Sequence, residues 1–345
     1  MKLIFYYYEK GDGVLNKKIL SMCEPKINTF PIYGDVFSVL PVETDERLLS
    51  WVYNNFIQLR YLPSMHILFF EQYRSILDSC PYLSRVTVRR EMIHKNYGGL
   101  HGFLREMIDM DQYVFLYVDR YFLPVYSAYQ KKHINHEFFI YGYDEEKQIY
   151  YCSDNDQSGK YCRFTCTFEE VLAAYEGVMG STYHTNVHAF GIEMWWSKEY
   201  EPLKEKQIFA LLDDYVNSRD VRNFTEPFSN LRCGFGVHQD VLRDIETADN
   251  NLDVRSMYLL LEHKKLMAER FAYMYKETGR DVYEKVSLFY NDISENYNSL
   301  MIKMVKYNMR MKQSLLEIIV TDFKELIKQE KQYFETLNEI MKEFI

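Results

Sequence analysis

Proline and glycine are distributed unevenly along the 345-residue chain, and this limits what its later part can fold into. All eight prolines lie at or before Pro227, and no glycine follows Gly279. Because these two residues most often interrupt helices, the later part of the chain is predicted to be all-helical. Pro202 suits the first turn of the helix that would open this part. The sequence therefore predicts two domains, residues 1–200 and 201–345.

Apolar residues in the second domain recur at alternating steps of four and three, which is a heptad pattern. Its regular part consists of Val286, Tyr290, Ile293, Tyr297, Leu300, Met304, Tyr307 and Met311. It continues less regularly through Leu315, Ile318, Leu326, Tyr333, Leu337 and Ile340. One interpretation is the packed face of long bundle helices; the other is a coiled coil that joins copies into a homo-oligomer. Tyrosine at these positions favours the broader core of a bundle.

Short strand and helix patterns alternate in the first domain. Strands are predicted over residues 3–8, 67–70, 84–89, 113–118, 137–143, 148–153, 161–167 and 188–195. Helices are predicted over 35–40, 45–58 and 100–108, and Thr167 opens another with a glutamate three residues later, the spacing of a capping box. Strands outnumber helices after residue 110, so the sequence predicts an α+β domain with an antiparallel sheet.

Composition excludes several classes of protein. The net charge of −9 argues against binding to nucleic acid, whose partners usually carry a basic stripe. No apolar run approaches the roughly 20 residues of a membrane helix, and the first residues lack the features of a signal peptide. The six cysteines include no Cys-x-x-Cys pair, so we expect free thiols in the cytoplasm and no metal. The glycines at 98, 99 and 102 lack the rest of a P-loop, and no cofactor is predicted.

Polar residues are densest between positions 117 and 156. His136 precedes an apolar strand, and Asp154 ends the next one after a tight acidic turn. Counting back from that turn puts the two side chains near the same edge of the sheet. A carboxylate beside an imidazole fixes its tautomer and stabilises the imidazolium, as in a catalytic triad. The alternative is that His136 is a strand-end histidine with a structural hydrogen bond.

The same region carries an ordered motif. Its residues are Asp119, Tyr121, Leu123, Pro124, His133, His136, Gly142, Tyr143, Asp144 and Asp154. This pattern, within residues 114–175, resembles the N-terminal domain family of butirosin biosynthesis protein H. That family is a papain-like group related to the C39-type cysteine peptidases. A weaker similarity extends over residues 25–200.

The resemblance implies a papain-like fold in which a cysteine at a helix N-terminus faces a histidine and an aspartate from the sheet. It also implies acyl transfer from a carrier-protein thioester to an amine, through an acyl-cysteine, in specialised-metabolite biosynthesis of the nonribosomal-peptide type. His136 would be the general base and Asp154 its orienting partner. The expected substrate-binding residues are Asp119, Tyr121, His133, Asp35 and Tyr143. An acyl or peptidyl carrier protein is the implied partner.

The sequence departs from the family at the nucleophile. The matching helix start falls within residues 30–40, which contain no cysteine, and Gly34 or Asp35 stands at the nucleophile position. Cys23 is the one nearby thiol and is the candidate nucleophile, since it precedes a Glu-Pro pair that could begin a helix. Without a nucleophile the chain would be a catalytically inactive relative that binds an acyl or peptidyl group or a carrier protein. The sequence leaves both alternatives open, and a peptidase-like hydrolase is disfavoured for lack of the same thiol.

Overall fold

The computed structural model describes residues 16–42, 45, 48–72, 75–156, 159–178, 186–192, 202–220 and 230–342. The chain divides into two compact units. The first contains residues 1–21, 84–158 and 162–191, and the second contains 22–83, 159–161 and 192–345. The predicted strand over 3–8 and the residues just before the predicted boundary, 193–201, lie outside the described part of the chain. The division at residue 200 therefore stays a prediction.

The described strands and helices are numbered in chain order. The strands are β1 (Lys17–Ile19), β2 (Leu59–Leu62), β3 (Ile67–Phe70), β4 (Leu83–Arg89), β5 (Tyr113–Asp119), β6 (Asn135–Asp144), β7 (Ile149–Asn155), β8 (Tyr161–Thr167), β9 (Asn186–Ile192) and β10 (Arg232–Cys233). The helices are α1 (Pro31–Val39), α2 (Leu49–Asn55), α3 (Ile76–Ser79), α4 (Arg90–Asn96), α5 (Leu100–Asp109), α6 (Phe168–Glu176), α7 (Glu205–Val216), α8 (Val237–Glu246), α9 (Val254–Thr278), α10 (Asp281–Arg310) and α11 (Gln313–Met341). A short 3-10 helix, Arg120–Phe122, follows β5 directly.

The first unit is built on a seven-stranded sheet of order β4-β9-β5-β6-β7-β8, with β1 also paired to β6. The pairs β1–β6, β5–β6, β5–β9 and β6–β7 are antiparallel. Helix α5 buries one apolar face, and α6 begins with the predicted capping box at Thr167. The α+β class with an antiparallel sheet is therefore confirmed.

The second unit combines a three-stranded sheet of order β10-β2-β3 with helices that include the three longest described, α9, α10 and α11. The predicted helical C-terminal region is confirmed, and β10 is the one strand described in it. The heptad positions from Val286 to Tyr307 are buried in α10. Met311 was predicted to continue this face, but it is 47% exposed and adopts a left-handed φ of 51°, which ends the helix. No described helix is long and apolar enough to cross a membrane.

The bundle core of the second unit holds a fully buried ion pair. The Lys264 ammonium donates to Glu330 Oε1 at 2.6 Å and to the Tyr215 hydroxyl at 2.9 Å. Burial lowers the pKa of Lys264 and raises that of Glu330, while each charge partly offsets the shift of the other. Such a pair fixes the relative positions of α7, α9 and α11 because either charge alone would be strongly unfavourable there.

Candidate functional site

His136 and Asp154 lie near the same end of two adjacent strands, β6 and β7. Phe139 pairs with Ser153, so Asp154 lies opposite Phe138, two residues along from His136. Side chains two residues apart on a strand point to the same face of the sheet. The structure therefore brings His136 and Asp154 together as diagonal neighbours on one face.

The Arg120 guanidinium contacts both of these side chains. One of its terminal nitrogens lies 2.7 Å from His136 Nδ1 and 2.8 Å from Asp154 Oδ2, whereas Nδ1 and Oδ2 are 3.7 Å apart. A guanidinium can only donate hydrogen bonds, and at 2.7 Å it lies closer to Nδ1 than the main-chain oxygen of Glu137 does at 3.2 Å, so Nδ1 accepts from Arg120 and a neutral His136 carries its proton on Nε2. In a catalytic base–orienter pair the carboxylate accepts from Nδ1–H and leaves Nε2 free to take a proton. At His136 the ring is held in the opposite tautomer.

Asp154 is fully buried, and several hydrogen bonds stabilise the negative charge of its carboxylate. Besides Arg120, the Tyr126 hydroxyl donates to Oδ2, and the main-chain N–H of Asn155 donates to Oδ1 at 2.6 Å. The Arg120 guanidinium also lies over the Tyr126 ring, 4.2 Å from its centre. Burial, together with the nearby Asp154 charge, raises the pKa of Tyr126 well above its ordinary value. Tyr126 is therefore a permanent hydrogen-bond donor, and Asp154 and Arg120 form a buried ion pair.

The other histidine of the motif, His133, has the geometry that was expected at His136. Its Nδ1 lies 2.5 Å from Oδ2 of the buried Asp119, whose Oδ1 accepts the main-chain N–H groups of Tyr121 and Ile134 at 3.0 Å. Because a carboxylate only accepts, the His133 proton is on Nδ1 and Nε2 is unprotonated in the neutral ring. The Tyr121 ring stacks on the imidazole with ring centres 4.2 Å apart. The structure thus brings three predicted substrate-binding residues, Asp119, Tyr121 and His133, into one cluster with an exposed imidazole.

Tyr143 is not part of either cluster. It lies seven residues beyond His136 on β6, which corresponds to roughly 23 Å along a strand. Its hydroxyl donates to Asp109 Oδ1 at 2.7 Å, and burial raises its pKa to about 12. The structure thus gives Tyr143 a packing role near α5.

Cys23 does not stand at a helix N-terminus, where a nucleophilic thiol was expected. Its thiol lies 3.1 Å from the main-chain oxygens of Ser38 and Leu40 and 3.3 Å from that of Phe37. These carbonyl groups belong to the C-terminal end of α1, which carries the negative end of the helix dipole. A thiolate is disfavoured in that position, whereas a thiol that donates to the carbonyl oxygens is stabilised.

The expected nucleophile position within α1 is filled by an aromatic ring. A Cβ atom at Gly34 would lie 2.4 Å from the Tyr161 ring, so no cysteine fits there while Tyr161 keeps its place. Asp35 is the fifth residue of α1 and not its N-cap, which is Phe30. Its Oδ1 accepts the Tyr161 hydroxyl at 3.0 Å, and the Ser38 hydroxyl lies 3.4 Å from that same oxygen of Tyr161. Tyr161 thus takes up the space at Gly34 and is held by Asp35.

No cysteine or serine side chain hydrogen-bonds to His136 among the described residues. The thiol of Cys162 lies 3.7 Å from the main-chain oxygen of Asp154. Cys152, two residues before Asp154, is buried, and burial raises the pKa of its thiol well above its ordinary value. Within the same described ranges, no three His, Cys, Asp or Glu side chains are grouped in a way that could hold a metal ion.

Comparison with known families supports the motif that begins at Asp119. Residues 48–155 match the family model for butirosin biosynthesis protein H, N-terminal. The predicted resemblance is confirmed. This butirosin-H-like region, residues 48–155, covers a little under a third of the chain and runs from the start of α2 to the end of β7. It contains His136 and Asp154 but neither Cys23 nor Asp35. No curated protein matches the chain.

Sequence reasoning missed three residues that shape the site. Arg120 and Tyr126 both contact Asp154, and Tyr161 occupies the space beside Gly34. Arg120 immediately follows the motif residue Asp119, and this adjacency was a usable signal for a charge near the end of β5. Nothing in the spacing of the sequence indicated Tyr161, because it is more than a hundred positions from Gly34 and the two meet only in the folded chain.

Proposed function

We propose that the protein acts in specialised-metabolite biosynthesis of the nonribosomal-peptide type as a non-catalytic, papain-like relative that binds an acyl- or peptidyl-loaded carrier protein. The observation that carries this proposal is the Arg120 guanidinium, which contacts both His136 Nδ1 and Asp154. An arginine in this position removes the direct bond between imidazole and carboxylate, and it holds His136 in the tautomer that cannot accept a proton at Nε2. An acyl-cysteine mechanism needs an unprotonated imidazole nitrogen that faces the thiol, and at His136 the unprotonated nitrogen, Nδ1, is occupied by Arg120.

The filled position at Gly34 supports the same proposal. In the family that the motif resembles, a cysteine at the start of this helix would carry the acyl group. Here the Tyr161 ring excludes any side chain at Gly34, and the thiol of Cys23 donates to helix carbonyl groups. Neither position therefore offers a thiolate, which is the species that attacks a thioester.

A basic surface close to the motif supports the proposal that the partner is a negatively charged protein. Lys131, Lys132 and His133 are exposed at the end of the turn before β6. Neither lysine forms an ion pair with a described residue. On a chain of net charge −9 this is a local concentration of positive charge, which would attract an acidic carrier protein or the phosphate of its pantetheine arm.

Binding to a butyryl-loaded acyl carrier protein tests the proposal. We expect Lys131→Glu combined with Lys132→Glu to weaken binding about tenfold or more, since two charge reversals at a rim act mainly through long-range attraction. The matched control is Lys285→Glu with Lys306→Glu, two exposed lysines on α10, which should leave the affinity unchanged. Isothermal titration at two salt concentrations measures both. No binding by the wild-type protein, or equal losses in the two double variants, would contradict the proposal.

A second function, acyl transfer, is favoured by one observation. The His133–Asp119 pair has the proton arrangement of a general base, with Nε2 unprotonated and the ring exposed. This pair could deprotonate an amine that attacks a bound thioester directly, without an acyl-enzyme. Release of free thiol from butyryl-pantetheine in the presence of an amine, abolished by His133→Asn and unaffected by His136→Asn, would establish this activity. No thiol release above the uncatalysed rate would exclude it.

A further inference from the structure

Helix α10 carries apolar side chains on its outer face, opposite the heptad positions that are buried in the second unit. Leu288, Ile302, Val305 and Met309 are between 43% and 79% exposed. Leu288, Ile302 and Met309 are separated by multiples of seven residues, and Val305 follows Ile302 by three. Positions at these spacings recur on one side of an α-helix. The four side chains therefore form one exposed stripe along α10, the outer stripe.

The charged residues of α10 are divided between its two halves. Residues 281–295 contain four acids and one lysine, a net charge of −3, whereas residues 296–310 contain three bases and no acid, a net charge of +3. The helix dipole favours this order of charges only within the first and last turns. Asp292, Glu295 and Lys306 lie outside those turns, so the dipole alone does not account for the division.

Most of these charges are directed to solvent. Lys306 and Arg310 are exposed, and neither forms an ion pair with a described residue, whereas Lys303 pairs with Asp322 of α11. The acids Glu284, Asp292 and Glu295 are also exposed and form no ion pair with a described residue. The face that carries the outer stripe thus has an acidic half and a basic half whose charges are not neutralised by that part of the structure.

Two copies of such a helix complement each other when they run antiparallel. The acidic half of each copy then faces the basic half of the other, whereas a parallel pair would bring like charges together. The two-fold axis would pass near the middle of α10, where the exposed side chains include the uncharged Asn296 and Ser299. With the axis there, Leu288 of each copy faces the segment of the other that contains Val305 and Met309.

We propose that the outer stripe of α10 binds a second copy of this chain in an antiparallel, two-fold symmetric dimer. The helix has 30 residues, so it is roughly 45 Å long, and a contact about 10 Å wide would cover roughly 450 Å² on each copy. Interfaces of this size are at the small end of those that hold proteins together, so we expect a dissociation constant in the micromolar range. This dimer involves the second unit alone and does not depend on the function proposed for the first.

Sedimentation velocity over roughly 1 to 200 µM protein measures the dimer. We expect Glu284→Lys with Glu295→Lys, and separately Lys306→Glu with Arg310→Glu, to weaken dimerisation at least tenfold, because each double variant brings like charges together. An equimolar mixture of the two double variants should dimerise again. In the mixed dimer each reversed half faces a half of opposite charge, which is specific to an antiparallel contact.

The matched control is Lys206→Glu with Lys265→Glu, two exposed lysines on α7 and α9, which should leave the dissociation constant unchanged. A wild-type protein that stays monomeric, including one that instead binds vesicles of anionic lipid, would overturn the proposal. A mixture that associates no better than its two components, or equal losses in the control, would overturn it as well.

One measurement on the wild-type protein decides the question even if a variant fails to fold. Raising the NaCl concentration from about 50 mM to about 500 mM should weaken the dimer about tenfold, because salt screens charges that are exposed to solvent. A wild-type dimer whose dissociation constant does not change with salt would contradict a contact between the acidic and basic halves of α10.

Discussion

Replacing Arg120 with leucine should have two linked effects on the first unit. Asp154 is fully buried and would lose its one charged partner within 3 Å, while it keeps the hydrogen bonds from Tyr126 and Asn155. Breaking a buried ion pair costs about 3–5 kcal/mol, and the two remaining donors favour the lower end of that range. We therefore expect Arg120→Leu to lower the free energy of unfolding by about 3 kcal/mol. Leucine would still pack against the Tyr126 ring, so little of this loss would come from packing.

The second effect concerns the imidazole of His136. Without Arg120 the acceptors beside Nδ1 are the main-chain oxygen of Glu137 at 3.2 Å and the Asp154 carboxylate at 3.7 Å, and a small movement of the ring would make a direct hydrogen bond to Asp154. The carboxylate requires a proton on Nδ1, so the neutral ring should switch from the Nε2–H to the Nδ1–H tautomer. The ¹⁵N chemical shifts of the two ring nitrogens distinguish these forms.

Arg105→Leu is the matched control for both effects. Arg105 pairs with Glu145 at 3.0 Å, but that carboxylate is 25% exposed, so its loss should cost no more than about 1 kcal/mol. The control should leave the His136 tautomer unchanged. Chemical denaturation measures the free energies of unfolding. The reasoning is refuted if His136 keeps its proton on Nε2 in Arg120→Leu, or if the two variants lose equal stability.

Three further predictions concern the second unit. Lys264→Met should lower the free energy of unfolding by about 3–5 kcal/mol because it leaves Glu330 buried without its partner, and adding Glu330→Leu should recover much of that loss; a double-mutant cycle in urea checks this. Burial raises the pKa of Glu262 to about 7, so the contribution of its protonated form to stability is complete below the unfolded pKa and is lost as the pH rises towards 7. Glu262→Gln should therefore flatten the dependence of the free energy of unfolding on pH between pH 5 and about 7. An unchanged pH dependence would contradict the raised pKa of Glu262. Met311→Gly should raise the free energy of unfolding by up to about 1 kcal/mol, and the melting temperature with it, because glycine adopts the left-handed C-cap without strain. A lower melting temperature by calorimetry would contradict this.

Local patterns predicted the elements near the site because the strands there follow the ordinary rules. The acidic turn after β6 fixed the register of the hairpin, and this register puts His136 and Asp154 on one face. The capping box at Thr167 likewise fixed the start of α6. By contrast, the four residues of β2 are all buried and show no alternation, so no strand was predicted there.

The parts of the site that could not be predicted depend on contacts between distant positions. Cys23 was placed at a helix start because a Glu-Pro pair follows it, but the helix begins at Pro31 and the thiol meets its C-terminal end. Arg120 stands in a one-turn helix, where no periodicity indicates which way a side chain points. Tyr143 was grouped with His136 by the motif, yet the length of β6 separates them.

The most direct test of the central claim is whether any cysteine becomes acylated. The intact protein is incubated with a butyryl-pantetheine thioester, its mass is measured, and Cys23→Ala is treated in parallel. We expect no butyryl adduct on the wild-type protein at neutral pH, because Arg120 occupies Nδ1 of His136 and the Cys23 thiol donates to carbonyl oxygens at the C-terminal end of α1. A stoichiometric adduct on the wild-type protein that is absent from Cys23→Ala would contradict the account and establish Cys23 as the nucleophile.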